Sequence, residues 1–307
     1  RKKLALQDKL HHVLHLYGYH DIQTPTFEYF DVFRKEIGTI SVKELYKFFD
    51  REGNILALRP DITPSVARAA SALYEIEEKP LRLCYIGNTF INHSRYQGRL
   101  RENTQLGAEY IGVDSKDADA EMLAMVVDCL RQSGLEKFQI RVGNVGFLYS
   151  LMKEAKLPPE YEEHLRQLIS NRNYYGVTEL LDEANVKPEM KELFGHLPEL
   201  VGGPEVLDKA MAIAPNELAK RAIKRLKDTY EILKAYTVQK YITFDLSMSG
   251  AYGYYTGVIF RAYTFGTGDA VVKGGRYNHL MEKFGKRAPS IGFAVIIDEL
   301  MNALARQ

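Results

Sequence analysis

The sequence predicts an α+β fold, in which an antiparallel sheet flanked by helices is interrupted by a helical insertion domain. Strand-like segments rich in β-branched and aromatic residues dominate the first part of the chain, and others return after residue 241. Between them, nearly every segment has a helical pattern, with breaks at prolines and glycines. Strands, then helices, then strands are typical of one α+β core with an insertion. We therefore expect a core of residues 1–146 and 237–307 and a helical insertion domain of residues 147–236.

The first predicted elements are a helix, a hairpin and a second helix. Apolar residues at helical spacing predict a helix that ends near Gly18. The segments "YKFFD" and "NILALR" predict a hairpin with its turn around Gly53. A helix follows from about Pro64, which suits a first turn, to about Tyr74.

The later elements form the main sheet and its flanking helices. The segments "LRLCYIGNTFIN" and "NTQLGAEYIG" predict two strands joined by a polar loop, Ser115 opens a helix, and "KFQIRVGNV" returns as a strand. After the helical block, "YITFDLSM", "YTGVIFRAYT" and "DAVVKGG" predict strands. The segment "SIGFAVIIDELMNALARQ" predicts a strand that runs into a helix.

Composition excludes some classes of function. Among 307 residues, 41 Lys and Arg balance 40 Asp and Glu, so no overall field favours nucleic acid or an anionic membrane. The two cysteines lie in apolar stretches without a CxxC pair, which favours structural thiols in a reducing compartment over a disulfide or a metal site. No apolar run reaches the length of a membrane span. We expect a cytoplasmic protein.

Two polar segments are candidate parts of a ligand site. In "LRPDITP", Asp61 is either a helix cap or an acceptor for a ligand amine. The loop after residue 92 carries Arg95, Arg99 and Arg101, which form either an anion clamp or a solvated hairpin loop. Because strand side chains alternate, two polar residues four apart lie on one face of the return strand. These residues are Gln105 and Glu109.

Glycine, tyrosine and histidine give weaker signals. In "GYYTG", Tyr254 and Tyr255 are predicted on opposite faces of a strand start, where they either pack in the core or contact a ligand. In "KGGRYNHL", a Gly-Gly turn before Arg276 is consistent with close backbone approach to a ligand. The histidines lack the spacing of known metal motifs, and His11 and His15 are explained by an exposed helix face. We assign no metal.

In this order, the segments resemble the catalytic core of class II aminoacyl-tRNA synthetases, specifically the histidyl-tRNA synthetase family. The segment "GYHDIQTPTFE" is similar to the first class motif, with Pro25 near the dimer interface, and "LRPDITP" to the family's "LRPEGT". Residues 86–112 are similar to the second motif, "GYYTG" to a histidine-pocket motif, and "PSIGFAVIIDEL" to the third motif. The resemblance covers nearly the whole chain.

The resemblance implies a histidine-binding half-site. It implies that Glu109 and Tyr255 pair with the imidazole and that Asp61 and other polar residues hold the α-amino group. The candidate histidine-binding residues are Asp61, Thr63, Gln105, Glu109, Tyr254 and Tyr255.

The same resemblance fails at the residues that bind ATP and the ligand carboxylate. Ile91 stands where the family has an arginine on the α-phosphate, and Glu299 where it has an arginine on the distal phosphates. Gly250 stands in place of an arginine, and Gly253 in place of an aspartate, of the histidine motif. Arg99 aligns with a nucleotide-contacting arginine of the family and is a candidate residual anion contact. Losing one stabilising donor typically slows a reaction about 100- to 1000-fold, so we expect no amino-acid activation.

A synthetase-like core without these arginines resembles the regulatory subunits of short-form ATP phosphoribosyltransferase. That resemblance implies a non-catalytic chain that forms a homodimer, assembles with the short catalytic subunit as a hetero-octamer and gives feedback control by histidine. Mg²⁺ would belong to the catalytic partner, so we assign no cofactor here. The sequence also leaves no room for an anticodon-binding domain after the third motif. The alternatives are a divergent histidyl-tRNA synthetase and a tRNA-sensing module.

Overall fold

The structure is a computed structural model and describes residues 1–33, 41–76, 79–93, 99–250 and 254–307. The predicted helices and strands occur in the predicted order along the chain, and three short strands near residues 20, 28 and 201 were not predicted. Up to residue 133 the helices and strands are α1 (Lys2–Leu16), β1 (His20–Asp21), β2 (Phe27–Tyr29), β3 (Lys47–Phe49), β4 (Ile55–Leu58), α2 (Thr63–Leu73), β5 (Leu81–Phe90), β6 (Glu102–Ile111) and α3 (Lys116–Ser133). From residue 138 they are β7 (Phe138–Asn144), α4 (Val145–Glu154), α5 (Pro159–Ser170), α6 (Tyr174–Glu183), α7 (Pro188–Gly195), β8 (Val201–Gly202), α8 (Glu205–Ile213), α9 (Glu217–Ala235), β9 (Ile242–Asp245), β10 (Val258–Thr264), β11 (Val272–Arg276), β12 (Ser290–Ile296) and α10 (Ile297–Leu304).

The chain divides into two compact units. The first comprises residues 1–138, 251–255 and 261–307, and the second comprises residues 139–250 and 256–260. The domain boundaries at residues 146 and 236 stay a prediction.

The first unit is built on strands that run β1-β5-β6-β12-β11. Strands β5, β6, β12 and β11 pair antiparallel, as predicted, whereas β1 pairs parallel with β5 at one edge. The sheet is therefore mixed and not wholly antiparallel. A separate three-stranded sheet has the order β2-β4-β3, and its β3–β4 hairpin is the predicted one. Its turn is closed by Asp50, which accepts the backbone N–H of Asn54 at 2.8 Å.

Amphipathic helices cover the main sheet of the first unit. Helix α1 packs on α3, β5 and β6 through the predicted apolar residues. Ser115 caps α3 by accepting the N–H of Ala118 at 3.1 Å, and Gly134 ends that helix in the left-handed region. Because α3 is buried on more than one side, its whole central stretch is apolar. The side chains that α1 and α3 bury include Leu6, Leu10, Val13, Leu14, Met122, Met125, Val126 and Cys129.

The second unit is mainly helical, with a small sheet. Strand β9 pairs parallel with β7 and antiparallel with β8. Helix α9 packs on α4 and α8, and α6 packs on α5 and α7. Within this unit, the almost fully buried carboxylate of Asp245 is paired with Arg172 and accepts the N–H of Ser247 at 3.0 Å. A buried charge needs such partners.

One strand begins later than predicted. Strand β10 starts at Val258, so Tyr254 and Tyr255 precede it and do not lie on opposite faces of a strand. Their ring centroids are 4.8 Å apart, which places both rings together.

Among the described residues, none of the helices is both long and apolar enough to cross a bilayer.

Candidate functional site

A cavity of about 500 Å³ lies within the first unit. Its wall is formed by β5, β6, β11 and β12, by the start of α2 and by adjoining loops. The six candidate histidine-binding residues all line it: Asp61, Thr63, Gln105, Glu109, Tyr254 and Tyr255. The structure therefore brings together residues that the sequence separates by almost 200 positions.

Glu109 is the most deeply buried ionisable group of the cavity wall, with no exposed surface. Its Oε1 accepts hydrogen bonds from the hydroxyls of Thr63 at 2.7 Å and Tyr85 at 3.3 Å. Its Oε2 accepts a short hydrogen bond from the hydroxyl of Tyr277. Among the residues that the structure describes, three hydroxyl donors thus satisfy this carboxyl group and no cation is paired with it.

Burial raises the pKa of Glu109 to about 8. The hydrogen bonds from Tyr277 and Thr63 act in the opposite direction, and the nearby charge of Asp61 raises the pKa further. A carboxyl group titrating near neutral pH is characteristic of ligand-binding and catalytic sites, although structural networks produce the same shift. A cationic group brought next to Glu109 would favour its ionised form.

A glycine on the neighbouring strand makes room for this carboxyl group. Glu109 and Gly292 are directly paired across β6 and β12. A Cβ atom at Gly292 would lie 1.7 Å from Oε2 of Glu109 and 2.7 Å from the backbone oxygen of Ala108. Only glycine fits this position without displacing the carboxyl group.

Asp61 lies just before α2, where it supports the helix start and lines the cavity, and its role as an acceptor for a ligand amine stays a prediction. Its Oδ1 accepts the backbone N–H of Thr63 at 3.3 Å, whereas Ile62, the residue just before the helix, provides no capping side chain. Its Oδ2 accepts the hydroxyl of Tyr254 at 3.1 Å. Burial raises the pKa of Asp61, and these hydrogen bonds oppose the shift. The carboxylate therefore both supports the helix start and faces the cavity.

Gln105 provides an unsatisfied acceptor in the same cavity. Its Oε1 is buried and has no hydrogen-bond partner among the described residues. Buried polar atoms are normally paired, so an orphaned acceptor in a cavity wall points to a donor on a ligand or on water. Gln105 and Glu109 both line the cavity, which confirms that they lie on one face of β6.

The two tyrosines combine core packing with cavity lining. Tyr254 is buried in an apolar cluster, and its ring lies 5.8 Å from that of Tyr277 in an edge-to-face arrangement. Tyr255 is partly buried and packs against the same cluster. Core packing is therefore confirmed for both residues, and contact with a ligand stays a prediction.

A more exposed part of the cavity wall contains two positions at which the resemblance implies the loss of an arginine. Ile91 and Glu299 line it, and so do Arg99 and His93. The pKa of His93 is lowered by burial and by the positive charges of Arg99, Arg101 and Lys273, an effect that the charge of Glu44 partly offsets. Lys273 is held by Asp269 at 3.0 Å.

Some predicted features lie elsewhere. Gly250 belongs to the second unit, whereas Arg95 and Gly253 lie outside the described residues. The predicted Gly-Gly turn is wrong, because both glycines lie inside β11. Arg276 does not line the cavity: its guanidinium is buried against Asp119, with an Nη2–Oδ1 distance of 2.6 Å.

Sequence reasoning missed three residues that shape the site. Tyr85 and Tyr277 supply hydroxyl donors to Glu109. Arg59 is buried and donates to the backbone oxygens of Thr24, Pro25 and Asn88, which holds the segment before Asp61 in place. The charge of Arg59 between two apolar residues was a usable signal, because buried arginines need several acceptors.

The fold matches that of a known class. A family model described as histidyl-tRNA synthetase matches residues 1–300, so the chain has a histidyl-tRNA synthetase-like fold. A solved structure from Bacillus halodurans, described as an ATP phosphoribosyltransferase regulatory subunit/histidyl-tRNA synthetase, superimposes with a TM-score of 0.91 at 33% identity. It is matched over 99% of this chain and 79% of its own.

Curated relatives define the branch of that class. An ATP phosphoribosyltransferase regulatory subunit from Acetivibrio thermocellus is 40% identical over 99% of this chain and 73% of its own length. Another with the same name, from Desulforamulus reducens, is 39% identical over 98% of this chain and 75% of its own. The chain belongs to the ATP phosphoribosyltransferase regulatory subunit family.

These relatives also correct one argument from length. The chain spans about three quarters of each of the two relatives, so regulatory subunits themselves are longer than this sequence. The expectation based on a missing anticodon-binding domain therefore does not separate regulatory subunits from synthetases. The family assignment rests on sequence identity instead.

Proposed function

We propose that this chain is a non-catalytic regulatory subunit that binds histidine in the cavity of its first unit. Through that binding it would confer feedback control on the short catalytic subunit of ATP phosphoribosyltransferase, which starts histidine biosynthesis by a glycosyl transfer. The family relationship supports the regulatory role. The chemistry of the cavity supports the choice of ligand.

The observation that carries the proposal is the excess of carboxyl groups in the cavity wall. Among the residues that the structure describes, two positively charged side chains, Arg99 and Lys273, line it, and Lys273 is paired with Asp269. The carboxyl groups that line it are Glu44, Asp61, Glu109, Asp269 and Glu299. Such a wall favours a ligand with an ammonium or imidazolium group over a polyphosphate.

The buried part of the cavity offers complementary groups for histidine. The carboxylate of Asp61 and the orphaned Oε1 of Gln105 are acceptors for an α-ammonium group. Glu109 and the hydroxyl of Tyr255 are the proposed partners of the imidazole. Ionisation of Glu109 on contact with a cationic ring would add a charge-assisted hydrogen bond.

The same cavity is unsuited to amino-acid activation. Adenylate formation builds negative charge on the phosphate groups of ATP. By the resemblance described above, synthetases of this class stabilise that charge with arginines. Here Ile91 offers no charge and Glu299 offers a negative one. A carboxylate in that place repels the developing charge instead of stabilising it.

Regulation would follow from differential binding. Histidine that binds one arrangement of the complex more tightly shifts the population towards that arrangement, with a coupling of about 1–3 kcal/mol. The homodimer near Pro25, the hetero-octamer with the catalytic subunit and the cytoplasmic location belong to this proposal. The free thiols of Cys84 and Cys129 support a reducing compartment.

Reconstitution with a short catalytic subunit tests the proposal. The phosphoribosyltransferase rate should require this chain and should fall when histidine is added. A rate that is independent of the chain, or one that histidine leaves unchanged, would refute the regulatory role.

Two further assays test the alternatives. Histidine-dependent exchange between ATP and pyrophosphate should be undetectable, and measurable exchange would identify a divergent synthetase. Uncharged tRNA should produce no saturable gel shift, and a specific shift would favour the tRNA-sensing module.

A further inference from the structure

A second polar cluster lies in the first unit, formed by side chains that do not line the cavity. His11 and His15 are one helical turn apart on α1, and they meet Asp21 of β1 and Cys84 of β5. One ligand atom from each of these four residues lies within 4.8 Å of the other three. We propose that this cluster is a structural zinc site.

The fold itself brings these four groups together. Asp21 and Cys84 are directly paired across the parallel strands β1 and β5. Residues four apart on a helix project from the same side, so His11 and His15 both reach this strand pair. Their ring centroids are 4.2 Å apart. The site cannot be recognised from the spacing of its residues in the sequence, because β1 and β5 are separated by about sixty residues.

The carboxylate of Asp21 is the centre of the cluster. Nε2 of His15 lies 3.1 Å from its Oδ2, and Nε2 of His11 makes a short contact with its Oδ1. The Sγ of Cys84 lies 3.5 Å from Oδ1. In tetrahedral zinc sites the metal–ligand distances of about 2.0–2.3 Å place neighbouring donors about 3–4 Å apart. The donors are thus already near the spacing that coordination requires.

The donor set selects the metal class. Two imidazoles, one thiolate and one carboxylate are a mixed N/S/O set, which suits the borderline character of Zn²⁺ and not the all-oxygen preference of Mg²⁺ or Ca²⁺. Four protein ligands leave no open position, so the site is structural and not catalytic. On binding, zinc displaces the proton of the Cys84 thiol, which leaves to solvent as the Zn–S bond forms.

Exposure gives the metal a route in. The side chain of Asp21 is 60% exposed and that of His15 is 40% exposed, whereas Cys84 is buried beneath them. A zinc ion would therefore enter from solvent and tie α1 to β1 and β5. This inference does not depend on the proposed function of the cavity.

Cobalt and zinc titrations of the chelator-treated full chain test the site. We expect one Co²⁺ per chain, with a thiolate-to-metal charge-transfer band in the near ultraviolet that zinc abolishes by displacement. Cys84→Ser should lose that band. His11→Gln and His15→Gln should each weaken zinc binding by at least about 10- to 100-fold. That is the typical cost of losing a residue that only hydrogen-bonds to a metal ligand, and the loss of a ligand itself costs no less.

The first unit offers matched control residues outside the cluster. His12 is an exposed histidine on α1 outside the cluster, and Cys129 is the other free cysteine. His12→Gln and Cys129→Ala should retain both the band and the affinity. If circular dichroism shows that Cys84→Ser is unfolded, the zinc affinity of the exposed His15→Gln variant tests the proposal instead.

Three results would overturn the inference. They are an absence of saturable binding to the wild-type chain, a charge-transfer band that persists in folded Cys84→Ser, and affinity in His15→Gln equal to that of the wild type.

Discussion

At the scale of single residues, the cavity is organised around the buried carboxyl group of Glu109. Its position could be predicted from the sequence, because strand alternation places Glu109 and Gln105 on one face of β6. Two of its three hydroxyl donors could not be predicted, because Tyr85 and Tyr277 reach it from a different strand and from the end of β11. Contacts of that kind depend on strand order, which periodicity does not reveal.

The raised pKa of Glu109 predicts a pH-dependent stability. Between the ordinary glutamate value of about 4.5 and about 8, the folded chain keeps a proton that the unfolded chain has released. Unfolding therefore releases a proton in this range, and this group lowers the free energy of unfolding by up to about 1.4 kcal/mol per pH unit as pH rises. The loss levels off above the folded pKa.

Urea unfolding at pH 6 and pH 8 measures this effect. Glu109→Gln should remove most of the decline with pH, whereas Glu102→Gln, an exposed change on the same strand, should leave it as in the wild type. Equal declines in the wild type and Glu109→Gln would show that Glu109 ionises normally.

At the scale of elements, strand register fixes the shape of the cavity. Order and type of most elements follow from apolar periodicity, and the hairpin β3–β4 and the junction of β12 with α10 were predicted. The start of β10 was not, because Tyr254 is held before the strand by its hydrogen bond to Asp61, almost 200 residues away. Such a long-range contact overrides local strand propensity.

The pairing of β6 with β12 predicts a sharp glycine requirement. Gly292→Ala should destabilise the chain by about 1–3 kcal/mol or more, because its Cβ would overlap the carboxyl group of Glu109. Gly268→Ala is the control, since Gly268 also lines the cavity but its Cβ would meet nothing within 4 Å. Thermal and urea unfolding of both variants test this, and equal stabilities would contradict the observed register.

The buried ion pair between Arg276 of β11 and Asp119 of α3 predicts a second loss of stability. Arg276→Ala leaves the fully buried carboxylate of Asp119 without its cation and should cost about 3–5 kcal/mol. The double change Arg276→Met with Asp119→Leu should recover much of that loss, because neither charge then remains buried. A double-mutant cycle in urea measures both, and a mild Arg276→Ala variant would contradict the pairing.

At the scale of the whole molecule, the chain has the fold of a synthetase and belongs to a family of regulatory subunits. The sequence predicted that outcome because its motifs occur in the order of the synthetase family, and because the resemblance implies that Ile91 and Glu299 stand in place of phosphate-binding arginines. The two compact units divide the chain between residues 138 and 139, near the shift to helical patterns. The zinc cluster was not predicted, since its four members come from three elements.

The central claim, that the acidic cavity is a histidine site, is tested most directly by calorimetric titration of histidine into the full chain. The wild type should bind one histidine per chain, and Asp61→Asn should bind at least about tenfold more weakly, because a hydrogen bond to a charged group contributes about 1.5–3 kcal/mol. Asp8→Asn, an exposed change on α1, should bind like the wild type. Equal affinity in Asp61→Asn and the wild type, or no binding to either, would contradict the claim.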